Sequence, residues 1–219
     1  DEIVYEKCSH LLGNSKIIIT KQENNTLEKI KKNIRNNSSQ KFFFNEDYTC
    51  KKKGDIFFYK DNFGEMNLPL PNLQGDFQLN NIATAIATAR NLSKFKINEL
   101  AISKAVKKIR SEGRLQIITS GKLKNLVSKT NQIILDGAHN PLAALEIKKY
   151  LTSLKTKKKI IMVLAMMANK DHKEFIKILK NSIHSIITLD IPNQTNCIKK
   201  EELAKIVKAC GVSSRTEVS

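Results

Sequence analysis

The sequence predicts an α/β fold with a mostly parallel sheet in its second half. Three apolar, strand-like segments, QIILD, KIIMVLAMM and IITLD, are each followed by apolar residues at helical spacing. Strand–helix units in series give parallel strands that helices cover on both faces. Two consecutive helical patterns precede the helix-stopping Gly113, which predicts a boundary between one domain at residues 1–111 and a second at residues 112–219.

The first domain is predicted to open with a strand and a helix and to continue with β-structure. Residues 16–20 (KIIIT) form a short β-branched run, and Leu27, Ile30 and Ile34 then share one helical face. The aromatic segments KFFFN and DIFFYKD predict further strands, with a turn near residues 62–64. The two prolines of LPLP exclude a central strand there.

Helical periodicity returns after residue 81. The inward-facing positions are Ile82, Ala85, Ile86 and Ala89 in one helix and Ile102, Val106 and Ile109 in the next. In the second domain they are Ala144, Ile147 and Leu151, then Phe175, Leu179 and Ile183, then Leu203, Ile206, Val207 and Cys210. These last three predicted helices alternate with the three apolar strand segments.

Composition narrows the classes of function. The longest apolar run, residues 160–168, is well short of the roughly 20 residues that a membrane-spanning helix needs. The net charge of +17 is spread along the chain, and the lysine clusters at residues 51–53 and 157–159 lack interleaved aromatic rings, so we read them as solvated surface. We therefore expect neither a membrane nor a nucleic acid as partner. The four scattered cysteines show no metal-ligand spacing, which favours a reducing cytoplasm.

The candidate site is IILDGAHNP, in which an apolar strand leads into a turn and then Pro141. Asn140 is placed to cap the following helix and Pro141 suits its first turn, so both have structural roles. Asp136 and His139 remain, at the carboxyl end of a strand and beside a helix N-terminus, where a phosphate-bearing ligand is favoured. The alternative is an ordinary turn, in which Asp136 satisfies the backbone and His139 is merely exposed.

Four segments in order, LPLPNLQGDFQLNNIATAIATA, EGRLQ, DGAHNP and VLAMMANKD, span roughly residues 68–171. Together they resemble the carboxy-terminal portion of folylpolyglutamate synthase and dihydrofolate synthase, within the Mur ligase superfamily. The resemblance implies the end of a Mur ligase central ATPase domain followed by a Rossmann-like carboxy-terminal domain. It also implies an ATP-dependent ligase that joins L-glutamate to dihydropteroate or folate through an acyl phosphate, with ATP and Mg²⁺ as cofactors.

The resemblance also implies roles for individual residues. Asn81 matches an Asn that contacts the nucleotide, with Asn80 as the alternative register. Arg114 of EGRLQ matches an Arg that reaches the ATP phosphates, and Asp136 matches an acidic residue at the ribose. His139 matches a His beside the phosphate and glutamate region, where it would assist catalysis as a hydrogen-bond donor rather than as a general base.

Lys170 and Asp171 lie at the end of the next predicted strand. We interpret them as binding the incoming glutamate, or, for Asp171, as capping the helix HKEFIKIL. The phosphate-binding motif G-x-x-x-x-G-K-[ST] is absent, and the family's magnesium ligands are expected outside this chain, so no residue here is assigned to a metal. The family's Gly-x-His-Gln element reads GDFQ at residues 75–78. We therefore expect a fragment that is truncated at both ends and inactive alone.

Two other functions stay open. A peptidoglycan precursor ligase shares the fold and an Ala-His-Asn-Pro loop, although DGAHNP favours the folate branch. A non-catalytic module that binds nucleotides or nucleic acid is compatible with the positive charge. We favour the ligase, as a monomeric cytoplasmic protein whose partners are dihydropteroate or folate, L-glutamate and ATP.

Overall fold

The computed structural model describes residues 2–216 of the chain, which divides into two compact units, Asp1–Arg110 and Ser111–Ser219. The first unit contains α1 (Glu2–Ser9), β1 (Lys16–Ile19), α2 (Asn24–Asn33), β2 (Gln40–Phe43), β3 (Tyr48–Lys53), β4 (Ile56–Asp61), β5 (Gly64–Pro69), α3 (Phe77–Arg90) and α4 (Glu99–Lys108). The second contains β6 (Gln116–Ile118), α5 (Lys122–Asn125), β7 (Ile133–Leu135), α6 (Pro141–Ser153), β8 (Ile161–Leu164), α7 (His172–Leu179), a 3₁₀ turn (Lys180–Ser182), β9 (Ser185–Thr188), α8 (Lys200–Ala209) and β10 (Ser213–Thr216). Residue 1 and residues 217–219, which belong to the two predicted domains, lie outside the described residues.

A three-stranded antiparallel sheet, in the order β3-β4-β5, is central to the first unit. β5 is an edge strand and Pro69 lies at its end, which agrees with the exclusion of a central strand at the prolines. β1 and β2 form a separate parallel pair connected through α2. The largest core cluster of this unit comprises Phe44, Tyr48, Phe57, Tyr59, Met66, Leu68, Ile82, Ala83, Ile86, Ala87, Ile102 and Val106.

Three elements of the first unit are absent from the sequence prediction, namely α1, β3 and the edge strand β5. α1 has no buried residue, and its Ile3 and Tyr5 are 73% and 67% exposed, so no apolar face distinguishes it. β3 has the sequence YTCKKK, and its Lys51 pairs with Phe58 of β4. A run of lysines lacks the alternation of apolar and polar residues by which a strand is recognised, and pairing with β4 supplies the stabilisation instead.

A three-stranded parallel sheet, in the order β10-β9-β8, is central to the second unit. α7 and α8 connect its strands and bury Phe175, Ile176, Leu179, Leu203 and Val207. The predicted helices after Pro141, around Phe175 and around Leu203 are present. The predicted parallel sheet is present too, alongside antiparallel sheets in the same chain.

The segment QIILD pairs differently from the prediction. As β7 it runs antiparallel to β6, with Ile117 opposite Ile134. Parallel neighbours are usually connected through a crossover helix, and the connection from β6 to β7, residues 119–132, contains only the four-residue helix α5. The sequence also predicted helices on both faces of the parallel sheet, but Ile161 and Val163 of β8 are 57% and 60% exposed.

The ends of two helical segments differ as well. α7 stops at Leu179, and Ile183 is buried beyond the 3₁₀ turn that follows. β10 follows α8 and pairs with β9 in parallel, whereas the prediction assigned no strand after that helix. Its residues are short and polar, SSRT, so its sequence carries little strand signal.

Candidate functional site

Asp136 joins two of the motifs found in the sequence. Its Oδ2 accepts a hydrogen bond from the backbone N–H of Leu115 at 2.7 Å, and its Oδ1 accepts one from the N–H of Ala138 at 2.7 Å. The backbone adds a third connection, since the N–H of Gly137 donates to the carbonyl of Gly113 at 2.8 Å. EGRLQ and DGAHN therefore form one local structure within the second unit.

Arg114 is flanked by residues whose backbone is held in place. The N–H of Gly113 donates to Oε1 of Gln116 at 2.9 Å, and the N–H of Leu115 donates to Asp136. Gly113 and Leu115 both adopt the left-handed conformation, with φ of 62° and 46°. For Leu115 this costs about 1 kcal/mol, which the burial of its side chain, only 2% exposed, offsets. The Arg114 side chain is exposed, so its guanidinium is open to a ligand on a fixed backbone.

Gln116 is a part of this site to which the sequence analysis assigned no role. Its side chain accepts the N–H of Gly113, three residues earlier, and thereby closes the loop that carries Arg114. A local signal exists, because a Gly followed three residues later by a side-chain acceptor is compatible with a side-chain-capped turn. That signal is weak in the absence of a known backbone conformation at Leu115.

Helix α6 begins as its sequence predicts. Asn140 is the N-cap and accepts a hydrogen bond from the N–H of Ala143 at 2.9 Å, while Pro141 occupies the first turn. The N-terminus of a helix carries partial positive charge, which favours an anion by about 0.3–1 kcal/mol. The turn that contains Asp136 and His139 thus leads directly into a positive helix end.

His139 is exposed, and its ring has a defined orientation. Its Nδ1 lies 2.9 Å from the carbonyl oxygen of Gly137. Because a carbonyl oxygen only accepts, Nδ1 must carry the proton in this contact, and the neutral ring then presents Nε2 as an acceptor. His139 can donate a hydrogen bond to a ligand through Nε2 only as the imidazolium, which restricts the predicted donor role to the charged ring.

Asn81 belongs to the first unit, where it lies on the second turn of α3. Its side chain is exposed and donates to Oε1 of the buried Gln78 at 3.1 Å. Asn80 instead accepts a weak hydrogen bond from the thiol of Cys50 at 3.8 Å, and burial raises the pKa of that thiol to about 11. Of the two sequence registers, Asn81 is the one whose side chain is exposed.

Asp171 caps helix α7, because its side chain accepts a hydrogen bond from the N–H of Glu174 at 3.0 Å. The neighbouring His172 is buried, and its Nε2 lies 2.9 Å from the carbonyl oxygen of Met167. Lys170, which precedes Asp171, is half-buried. The capping interpretation of Asp171 therefore corresponds to an observed contact.

Three of the predicted site residues of the second unit come together, and its other two, Lys170 and Asp171, follow the end of β8. Arg114, Asp136 and His139 share the structure formed by the two motifs. Within residues 2–216, no hydrogen bond or ion pair links Lys170 or Asp171 to those three side chains.

Neither a metal cluster nor a membrane helix is found in the described part of the chain. Among residues 2–216, no group of three or more His, Cys, Asp or Glu is placed to hold a metal ion. No helix in the same range combines the length and apolar character needed to cross a bilayer.

The family model that matches this chain covers most of the second unit. Residues 113–216, which contain both motifs, match the family model described as dihydrofolate synthetase, C-terminal domain. The dihydrofolate synthase/folylpolyglutamate synthase of Buchnera aphidicola subsp. Acyrthosiphon pisum is 30% identical over 156 residues, which are 71% of this chain and 34% of that protein. The probable dihydrofolate synthetase of Schizosaccharomyces pombe is 28% identical over 168 residues, 75% of this chain and 38% of that protein. The chain thus spans little more than a third of the length of these relatives.

Three solved structures show the same fold. Mycobacterium tuberculosis folylpolyglutamate synthase, complexed with ADP and AMPPCP, has a TM-score of 0.85 at 17% identity, over 99% of this chain and 49% of that chain. E. coli FolC in complex with DHPP and ADP has a TM-score of 0.80 at 22% identity, over 99% and 48%. A bifunctional folylpolyglutamate synthase/dihydrofolate synthase with Mn, AMPPNP and L-glutamate bound has a TM-score of 0.77 at 21% identity, over 99% and 48%.

The chain has the mixed α/β fold of these solved structures, with a parallel sheet beside antiparallel ones. The family model and the two curated relatives indicate the family within this fold. The chain belongs to the folylpolyglutamate synthase/dihydrofolate synthase family and corresponds to a carboxy-terminal portion, about half the length of the structural homologues. The resemblance seen in the sequence is confirmed.

Proposed function

We propose that this chain is part of an ATP-dependent ligase that adds L-glutamate to dihydropteroate or folate. The observation that carries the proposal is the hydrogen bond from Leu115 to Asp136, which holds Arg114 beside the DGAHN turn. A guanidinium on a fixed backbone, close to a helix N-terminus, suits the oxygens of a nucleotide phosphate. The substrate class comes from the names of the relatives, which are dihydrofolate and folylpolyglutamate synthases.

In the proposed reaction, ATP transfers its γ-phosphoryl group to the carboxylate of the pterin substrate, which gives an acyl phosphate and ADP. The amino group of L-glutamate attacks the acyl carbon, an amide bond forms, and inorganic phosphate leaves. Negative charge is concentrated on phosphoryl oxygens in the first step, so fixed cationic and N–H groups lower its barrier. Mg²⁺ would neutralise further phosphate charge, and its ligands are expected outside this chain.

Each residue of the candidate site has a proposed part in this reaction. Arg114 holds phosphate oxygens with its planar donors, a contact worth about 1.5–3 kcal/mol. Each oxygen of Asp136 has two acceptor sites, so the carboxylate can accept from a ribose hydroxyl as well as from the backbone. His139, as the imidazolium, donates to a phosphate oxygen during the reaction. Asn81, in the first unit, is proposed to contact the nucleotide.

Lys170 is proposed to pair with a carboxylate of the incoming glutamate. Asp171 already accepts the N–H of Glu174, so a contact with the glutamate ammonium would compete with its role as helix cap. The proposed setting is the cytoplasm, and the protein is proposed to act as a monomer.

The experiment is an assay of glutamate-dependent ADP release with dihydropteroate or a reduced folate. The full-length protein should be active, and Arg114→Ala should lower its kcat/KM about a hundredfold, as expected for a lost phosphate contact. Arg35→Ala removes another exposed guanidinium and should leave the activity unchanged. The 219-residue chain alone should be silent, because its sequence lacks the phosphate-binding loop.

Two results would contradict the proposal. Equal activity of the Arg114→Ala and Arg35→Ala proteins would remove the phosphate role. Turnover of a UDP-linked muramyl substrate, with none on pterin acids, would assign the protein to the peptidoglycan branch instead.

A further inference from the structure

A basic cavity of about 430 Å³ lies in the second unit. It is bordered by the end of α6, by the segment that leads into β8 and by the segment that leads into β9. Its polar side chains include Lys155, Lys157, Lys158, Lys159, Asn181 and Ser182. Residues 157–159, predicted from the sequence to be solvated surface, are exposed, and the fold brings them beside residues 181–184.

This cavity and the two residues predicted to bind the substrate glutamate lie at opposite ends of the parallel strands. β8 and β9 run parallel and begin at Ile161 and Ser185, and the cavity-lining residues precede both. Lys170 and Asp171 follow the carboxyl end of β8. Ligand sites of open parallel sheets lie outside the carboxyl ends, so a site at the amino ends is an additional one.

The charge of the cavity lining is one-sided. Its four lysines are accompanied by no Asp or Glu. Lys158 donates a hydrogen bond to the carbonyl of Thr130. The ammonium groups of Lys155, Lys157 and Lys159 make no hydrogen bond or ion pair within residues 2–216. Like charges held together repel one another, and a bound polyanion would turn that repulsion into attraction.

Lys155 occupies a backbone position that suits glycine better than lysine. It follows Leu154, the C-cap of α6, and has a left-handed φ of 45°. Glycine is preferred at this position, and a residue with a Cβ costs about 1 kcal/mol there. A lysine in this place contributes an ammonium to the cavity at the expense of local stability.

We propose that the cavity binds a compact polyanion with two or more phosphate groups. Lysine ammonium groups act as point charges toward phosphate, and the Asn181 amide and Ser182 hydroxyl add neutral donors. The lining, which is within the described residues, contains no Phe, Tyr or Trp on which bases would stack, and this disfavours single-stranded nucleic acid. The site does not depend on the proposed ligase activity.

The test is calorimetric titration of inorganic triphosphate into the 219-residue chain at about 0.1 M salt, where exposed charges are screened beyond about 10 Å. An Arg114→Ala background removes the phosphate contact proposed for the nucleotide. One saturable site is expected in this background. Lys155→Gly removes an ammonium without backbone strain, so it should weaken binding about fivefold while the melting temperature stays equal or rises. The double change Lys157→Ala with Lys159→Ala should weaken binding at least tenfold.

The matched control is Lys51→Ala with Lys52→Ala, which removes the same net charge from β3 in the first unit. This control should leave triphosphate binding unchanged. Equal weakening by the two double changes, or binding that never saturates, would overturn the site in favour of general attraction to a basic protein. Tighter binding of an oligonucleotide, increasing with its length, would also overturn it and would indicate a nucleic-acid surface.

Discussion

The backbone N–H of Leu115 donates a hydrogen bond to the carboxylate of Asp136 at 2.7 Å, across the end of the β6–β7 pair. Gln116 pairs with Leu135 in that register, so one further step places Leu115 opposite Asp136. The same carboxylate holds Ala138 in the following turn. Asp136 therefore supports the shape of the candidate site as well as being a candidate contact for the ribose.

The first prediction concerns the stability that Asp136 provides. Asp136→Ala leaves the N–H groups of Leu115 and Ala138 without this acceptor, and it should lower the free energy of unfolding by about 2 kcal/mol. Asp136→Asn keeps one acceptor but turns an amide N–H₂ toward the other donor, so its effect should be intermediate. Urea denaturation measures both. The exposed Asp55 is the control, and Asp55→Ala should change stability by less than about 0.5 kcal/mol. Equal stabilities of the two alanine variants would refute the structural role.

The second prediction separates the two glycines of the joined motifs. Gly113 has a φ of 62°, so Gly113→Ala should cost about 1 kcal/mol of unfolding free energy. Gly137 lacks a left-handed φ, and a Cβ there would meet the carbonyl oxygen of Gly113 at 3.6 Å, an ordinary contact. Gly137→Ala should therefore cost less than about 0.5 kcal/mol. Thermal unfolding orders the two variants, and the reverse order would contradict the described backbone.

The third prediction concerns a buried ion pair in the first unit. Arg90 contacts Asp61 through Nε at 2.8 Å and Nη2 at 3.0 Å, and their side chains are only 13% and 6% exposed. The hydroxyl of Tyr59 donates to the same carboxylate at 3.0 Å. Arg90→Ala leaves a buried carboxylate uncompensated and should lower the unfolding free energy by about 3 kcal/mol. Arg90→Lys loses the two-point contact but keeps the positive charge, so it should lower the unfolding free energy less than Arg90→Ala does.

An exposed pair provides the matched comparison. Lys60 and Glu65 are 2.9 Å apart, with side chains 59% and 55% exposed. Lys60→Ala should change the unfolding free energy by less than about 1 kcal/mol, since solvent screens such pairs. Chemical denaturation of both variants gives the result, and similar losses from Lys60→Ala and Arg90→Ala would contradict the burial of the Arg90 pair.

The fourth prediction concerns the thiol of Cys50. Burial raises its pKa to about 11 from an ordinary 9.0, so the fold stabilises the neutral thiol. That stabilisation is complete below pH 9 and is lost as the pH rises from 9 to about 11, because the unfolded thiol ionises first. At pH 8 the native chain should alkylate at Cys50 about a hundredfold more slowly than the urea-unfolded chain, in proportion to the thiolate fractions. Peptide mass spectrometry measures the two rates, and equal rates would show that the thiol is not protected.

The sequence was sufficient for the features that depend on local patterns. The Asn140 cap, the start of α6 at Pro141 and the strand–helix alternation after residue 160 follow from residue types at fixed spacing. The contact between Asp136 and Leu115 depends on antiparallel pairing of β6 with β7, and the apolar run QIILD carries no information on the direction of its partner. The sequence therefore indicated Asp136 as a polar group at a strand end. It did not show that the Asp136 carboxylate accepts hydrogen bonds from the backbone N–H groups of Leu115 and Ala138.

The lysine cavity illustrates the same limit. Residues 157–159 form a plain basic run in the sequence, and residues 181–184 follow a helix more than twenty positions later. Only the pairing of β8 with β9 brings the segments before these strands together. Long-range juxtaposition of exposed polar groups leaves no periodic pattern, since such groups are not selected by burial.

The claim that Arg114 and the turn containing Asp136 and His139 bind a nucleotide is tested most directly by backbone-amide NMR of the 219-residue chain titrated with ADP. The largest shifts are predicted at the amides of Gly113, Leu115, Gly137 and Ala138, and Arg114→Ala should abolish them. Shifts confined to other amides, or a titration that Arg114→Ala leaves unchanged, would contradict the claim.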